Sequence, residues 1–156
     1  MDTFKINELM KLTNVNPRNE KHGDEGVLAV DLSVKATFDV DDIKLLMPLV
    51  DMAALKKTFW DTDGHPFAEH HLQLATELKE YRCTLSRPGK KKHLLLGEAS
   101  TVKGFKIEFN HGTTVNLSFK IQCNCDGPAI GNMSECLEDD VQVEIEAGPQ
   151  EEMDLG

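Results

Sequence analysis

A chain of 156 residues, 40% apolar and 28% charged with a mean hydropathy of -0.36, is long enough to bury one core without disulfides or a metal, and its composition excludes wholesale disorder. No run approaches the roughly 18 apolar residues of a membrane span, and MDTFKINELM lacks the basic flank and apolar core of a signal peptide, so the expected compartment is the cytoplasm. The formal charge of -10 is concentrated at one end: residues 135–156 hold nine acids and no Lys or Arg, leaving 18 acids against 17 bases in residues 1–134 and room for a locally basic face.

In chain order, Phe4, Ile6 and Leu9 among polar neighbours fit a first strand or a short helix within residues 1–13, and strand is the expectation. The polar run NVNPRNEKHGDEG, from Asn14 to Gly26, carries Pro17 and two glycines and is expected to be a turn-rich loop. Val27 to Phe38 is the clearest element. Its even positions Leu28, Val30, Leu32, Val34, Ala36 and Phe38 are all apolar, while Asp31, Ser33, Lys35 and Thr37 alternate with them, as in a long strand with one wet face. That wet face is mixed in charge and has no aromatic, which predicts a scaffold rather than a binding platform. Residues 39–64 change to a helical period, with Asp39, Asp41 or Asp42 as cap and Pro48 dividing two short pieces, the second over Met52 to Trp60. Residues 67–78 fit helix and strand equally; Tyr81 to Arg87 reads as extended, and the change of parity between 78 and 81 requires a bulge. Phe105, Ile107 and Phe109, then Val115 through Cys125, alternate on either side of Asn110-His111-Gly112 and predict a hairpin. DGPAIGNMS reads as a turn with a short helical turn near Ser134 to Leu137, and Val141, Val143 and Ile145 as a last strand. The expected architecture is mainly β with a short helical insertion, an antiparallel sandwich or open barrel over residues 1–147, followed by a mobile acidic tail, 148–156.

Four cysteines, Cys83, Cys123, Cys125 and Cys136, are too few and too unevenly spaced for a secreted disulfide framework. Cys123 and Cys125 continue the apolar parity of their strand, so they read as core rather than as zinc ligands with Cys136 and a histidine such as His93 or His111. His65, His70 and His71 beside Glu69 lack ligand spacing and read as surface histidines. No nucleophile elbow, Ser-x-x-Lys or phosphate-cradling glycine loop is found, so no catalytic residue, cofactor or metal is expected. The densest basic spot is the turn with Arg87, Lys90, Lys91 and Lys92, expected to meet phosphate with help from Arg82, Lys103, Lys106 and Lys120, and with Tyr81 or Phe105 as stacking groups. The acidic tail, with Glu151, Glu152, Met153, Asp154 and Leu155, is the candidate for a protein partner.

The run RNEKHGDEGVLAVDLSVKATFDVDDI, residues 18–43, resembles a family of small uncharacterised tailed-bacteriophage proteins in which a charged turn leads into a strand of the VLAVDLSVK type. The resemblance implies phage origin and accessory work in the host cytoplasm; it assigns no role to any single residue. The leading expectation is a non-catalytic binding protein in DNA metabolism or host takeover, with a protein or nucleic-acid partner and no membrane. Two others stand beside it: an acidic inhibitor of a host defence protein, of anti-restriction or anti-CRISPR type, and a self-assembling homo-oligomer that pairs through a long strand edge.

Overall fold

A computed structural model describes residues 4–22, 25–39, 60–61, 63, 66 and 71–148. Seven strands form one antiparallel sheet: β1 (Ile6–His22), β2 (Glu25–Asp39), β3 (His71–Gln73), β4 (Leu78–Ser86), β5 (His93–Phe109), β6 (Thr114–Asn124) and β7 (Asp140–Ala147). The order is β3-β5-β4-β7-β1-β2-β6, and an added β5–β6 pairing closes six of the strands into a ring, with β3 appended to β5 outside it. The sheet is therefore β-rich with a short helix, as expected, and goes one step beyond an open barrel by closing. Closure comes from the length of β5. Residues 93–102 pair with β4, while residues 101–109 pair with β6 on the other edge.

The ring buries one parity of each strand. On β2 these are Val30, Leu32 and Val34; on β6, Val115, Leu117, Phe119, Ile121 and Cys123; on β7, Val141, Val143 and Ile145. Phe4 stands edge-on to Phe105 at 5.4 Å and to Phe119 at 6.3 Å, filling the middle of the barrel. At one end Trp60 covers Phe109, rings 5.1 Å apart and nearly perpendicular, and its indole N–H donates to the Asn110 carbonyl at 2.8 Å, which satisfies the polar atom that its burial would otherwise strand.

Three stretches differ from the sequence reading or refine it. Within the expected loop from Asn14 to Gly26 the described residues are strand: β1 runs on to His22 and pairs with β2 as far as His22↔Glu25, with Pro17 opposite Val30. β7 leaves β1 beyond Leu12, so Pro17 has no second described neighbour to donate to, and the ribbon projects past the start of the β2–β6 pairing at Ala29, where no core imposes alternation. Asp126 to Ser134 is helical over nearly its whole length: α1 (Gly127–Glu135) begins on the Asp126 side chain, which accepts from the Ala129 N–H at 2.8 Å, and Pro128 sits in the first turn, where its missing N–H costs nothing. The expected bulge between 78 and 81 is present as register shifts around Tyr81, with Glu80 at φ 59. Within 67–78 the described part is β3 followed by an irregular link. The helical pieces expected over 39–60 lie outside the described residues, except Trp60. Among the described residues no helix is long and apolar enough to cross a membrane.

Candidate polyanion interface

The basic turn joins β4 to β5. The Lys90 N–H donates to the Arg87 carbonyl at 3.0 Å, closing a tight turn over Pro88 and Gly89, so the cations leave the barrel at a fixed point. Arg87, Lys90, Lys91 and Lys92 are all exposed. Arg87 also reaches Glu135 of α1 at 3.3 Å, a surface pair that takes one cation partly out of play. Arg87, Lys90 and Lys92 border a cleft of about 270 Å³ together with His93 and Asn132.

A second basic feature is assembled by strand pairing. The wet parities of β2, β6 and β5 lie side by side, and at one level Ser33 faces Lys120, which faces Lys103; at the next, Lys35 faces Ser118, which faces Lys106. At the second level a serine thus separates two lysines, and at the first two lysines are neighbours. Lys103 and Lys106 share this face only because a bulge separates them: two residues, Gly104 and Phe105, oppose Phe119 alone. Gly104 takes φ +67, a left-handed conformation that side-chain-bearing residues adopt only with strain. Lys103 lies 3.9 Å from Glu77 and Lys106 3.7 Å from Glu108, while Lys35 and Lys120 have no ion pair among the described residues. A groove of about 580 Å³ opens here, lined by Thr13, Ser33, Lys35, Lys106, Ser118 and Lys120 among others. That volume lies in the usual range for ligand sites of about 300–1,000 Å³, and the cleft at the basic turn falls below it.

The other expected helpers are placed elsewhere. Arg82 is on β4 opposite Glu146 and does not line the lysine groove. Phe105 is 1% exposed inside the barrel and Tyr81 is half-buried against the core, so Phe105 cannot stack on a base and Tyr81 offers only part of its ring. The tail residues Glu151, Glu152, Met153, Asp154 and Leu155 lie outside the described residues, as do His65 and His70; His71 is exposed on β3.

Cys123 faces the interior as its parity dictates, Cys83 and Cys136 are buried and Cys125 half-buried. Burial pushes the Cys83 and Cys123 thiols up to about 12, against the opposing influence of the Ser100 hydroxyl that both face. Gly97 makes this packing possible: a Cβ there would sit 2.4 Å from Ser100 Oγ and 3.0 Å from Cys123 Cβ. Burial also raises Cys125. Such thiols are poor nucleophiles near neutral pH. Among the described residues no three His, Cys, Asp or Glu side chains converge as a metal site would require.

Outside this region, Arg18 on the β1–β2 ribbon donates from Nε to Asp31 Oδ1 at 2.8 Å and also pairs with Glu20. The bond to Asp31 is the main influence holding the guanidinium in its charged form. Comparison of the chain with protein families, curated proteins and solved structures returns no match.

Proposed function

We propose that the protein is a non-catalytic, phage-encoded accessory protein of DNA metabolism that binds a nucleic acid through its backbone phosphates. One observation carries this reading: Lys35, Lys103, Lys106 and Lys120 gather on the outer face of β2, β6 and β5, and Lys103 stands directly across from Lys120. Like charges opposite one another in a sheet weaken it, and a bound anion would relieve that repulsion. Among the described residues no exposed aromatic side chain stands on this face, Phe105 and Phe119 being buried beneath the groove, which supports contact with phosphate rather than base stacking. Fluorescence anisotropy with single-stranded and double-stranded oligonucleotides at about 50 and about 200 mM salt tests it, since about four phosphate contacts give a loss of roughly a hundredfold between the two. No binding at the lower salt removes the nucleic-acid reading.

The acidic-inhibitor reading draws less support. Glu135 and Glu138 pair with Arg87 and Lys11, and Asp140 and Glu146 lie opposite Lys11 and Arg82, so much of the described acidic surface already faces its own cations. Self-assembly along the long strand is also weakened, because both edges of β2 are occupied over Ala29–Lys35.

A further inference from the structure

We propose that the groove over β2, β6 and β5 is a discrete oligophosphate site, in which Lys35, Lys106 and Lys120 hold consecutive phosphate groups and Ser33 and Ser118 supply neutral hydroxyl donors. It deepens the nucleic-acid reading by naming the site and its chemistry, and rests on that reading only for one of two ligand sources: a run of phosphodiesters in a nucleic-acid strand, or a free chain such as the triphosphate of a nucleotide.

Three features separate this groove from a solvated patch of lysines. The first is the alternation of short and long side chains. Ser118 lies between Lys35 and Lys106, one on either flanking strand, so a gap remains where a third long side chain would otherwise stand, and the two ammonium groups can reach into it from opposite sides. The second is the bulge. With two residues between them, strict alternation would turn Lys106 inward when Lys103 points outward, so the bulge at Gly104 and Phe105 is what brings both cations to one face. A residue with φ +67 and no side chain beside Lys120 also leaves that wall of the groove open. The third is charge balance. Glu77 and Glu108 lie near the outer limit of ion-pair distance from Lys103 and Lys106, both half-exposed, and neither Lys35 nor Lys120 is neutralised among the described residues. β6 itself, TVNLSFKIQCN, has no acidic residue to repel an anion. Lysine acts here as a point charge on a flexible stem, which suits phosphates of varied geometry and selects charge density over base identity.

The test uses the full chain with two probes: calorimetric titration with tripolyphosphate, and anisotropy with a fluorescent thymidine oligonucleotide. Wild type is expected to bind tripolyphosphate. The double variant Lys35→Gln, Lys120→Gln is expected to lose about tenfold or more in affinity, with the salt slope falling by about two. Ser118→Glu supplies the missing counter-charge within the groove, so it is expected to raise Tm and abolish binding together, a pairing that simple damage to the fold does not produce. Absence of tripolyphosphate binding by wild type, or unchanged binding in both the double variant and Ser118→Glu, overturns the proposal. The two readings fail separately. Lysine-dependent binding of tripolyphosphate without oligonucleotide binding keeps the groove and removes the nucleic-acid function; oligonucleotide binding that depends on Lys90, Lys91 and Lys92 but not on Lys35 and Lys120 keeps the function and removes the groove.

Discussion

β6 and β7 stand three places apart in a ring of six, on opposite walls of the same barrel, and their outer faces are built on opposite electrostatic rules. On β7, Glu146 lies across from Arg82 of β4, and Asp140 across from Lys11 of β1; unlike charges face each other, each pair worth about 0.2–1 kcal/mol to the sheet. On β6, Lys120 lies across from Lys103, and Ser118 separates Lys35 from Lys106. The β7 wall sets unlike charges across from each other, whereas on the β6 wall Lys103 and Lys106 meet Glu77 and Glu108 only near the outer limit of ion-pair distance, and Lys35 and Lys120 have no ion pair among the described residues. Both walls rest on the same interior, so the difference cannot come from the core, and a wall that forgoes local stability on its surface is the better place to look for a ligand.

The largest expected effect acts on that shared interior and spares neither wall. The Cys83 and Cys123 thiols ionise near the ordinary cysteine value when unfolded and near about 12 when folded. Between those values the unfolded chain holds fewer protons than the folded one, so stability is fully present below roughly pH 9 and falls as pH rises toward 12. Denaturation curves across this range should show the decline, and the double variant Cys83→Ala, Cys123→Ala should flatten its slope even if it begins less stable. Next in size, Phe119→Ala is expected to cost about 3–5 kcal/mol in chemical denaturation, while its neighbour Lys120→Gln changes stability by less than about 0.5 kcal/mol. Equal losses would break the separation between an inner face that folds and an outer face that binds. Gly104→Val, which places a branched side chain at φ +67, is expected to cost about 1–2 kcal/mol and to weaken anion binding by misaiming Lys103 and Lys106. The smallest effect concerns the far wall: Glu144→Lys with Glu146→Lys should raise oligonucleotide affinity only a few-fold at low salt, and the gain should vanish as salt screens it over about 10 Å.

Much of this barrel is written in local alternation. Leu28 to Phe38, Val115 to Cys125 and Val141 to Ile145 each face one interior, and the change of parity at 78–81 marks a bulge from local pattern alone. Legibility failed where no core is faced or where breakers serve as starters. The stretch from Asn14 to His22 is paired with β2, but β7 has left its other edge and Asn19–His22 extend past the β2–β6 pairing, so its polar residues and Pro17 imitate a loop. Gly127-Pro128 looks like a turn, yet after the Asp126 cap it opens a helix. The basic turn was visible because its cations are consecutive. The lysine wall was not, because Lys35, Lys103, Lys106 and Lys120 come from three strands, and which strands are neighbours is a long-range fact that no window of sequence contains.

The pairing of Ile6 with Ile145 has a consequence for how the chain reaches this state. β1 can zip to β2 as soon as both are made, but its other edge waits for the last strand, about 130 residues later in synthesis, and so does the edge of β4 that receives β7. Closing so large a loop is entropically costly and slow, and until it happens two apolar strand edges stand open. Ring closure should therefore be the late, rate-limiting event of refolding, and the period before it is when the chain is most exposed to pairing with a second unfinished copy.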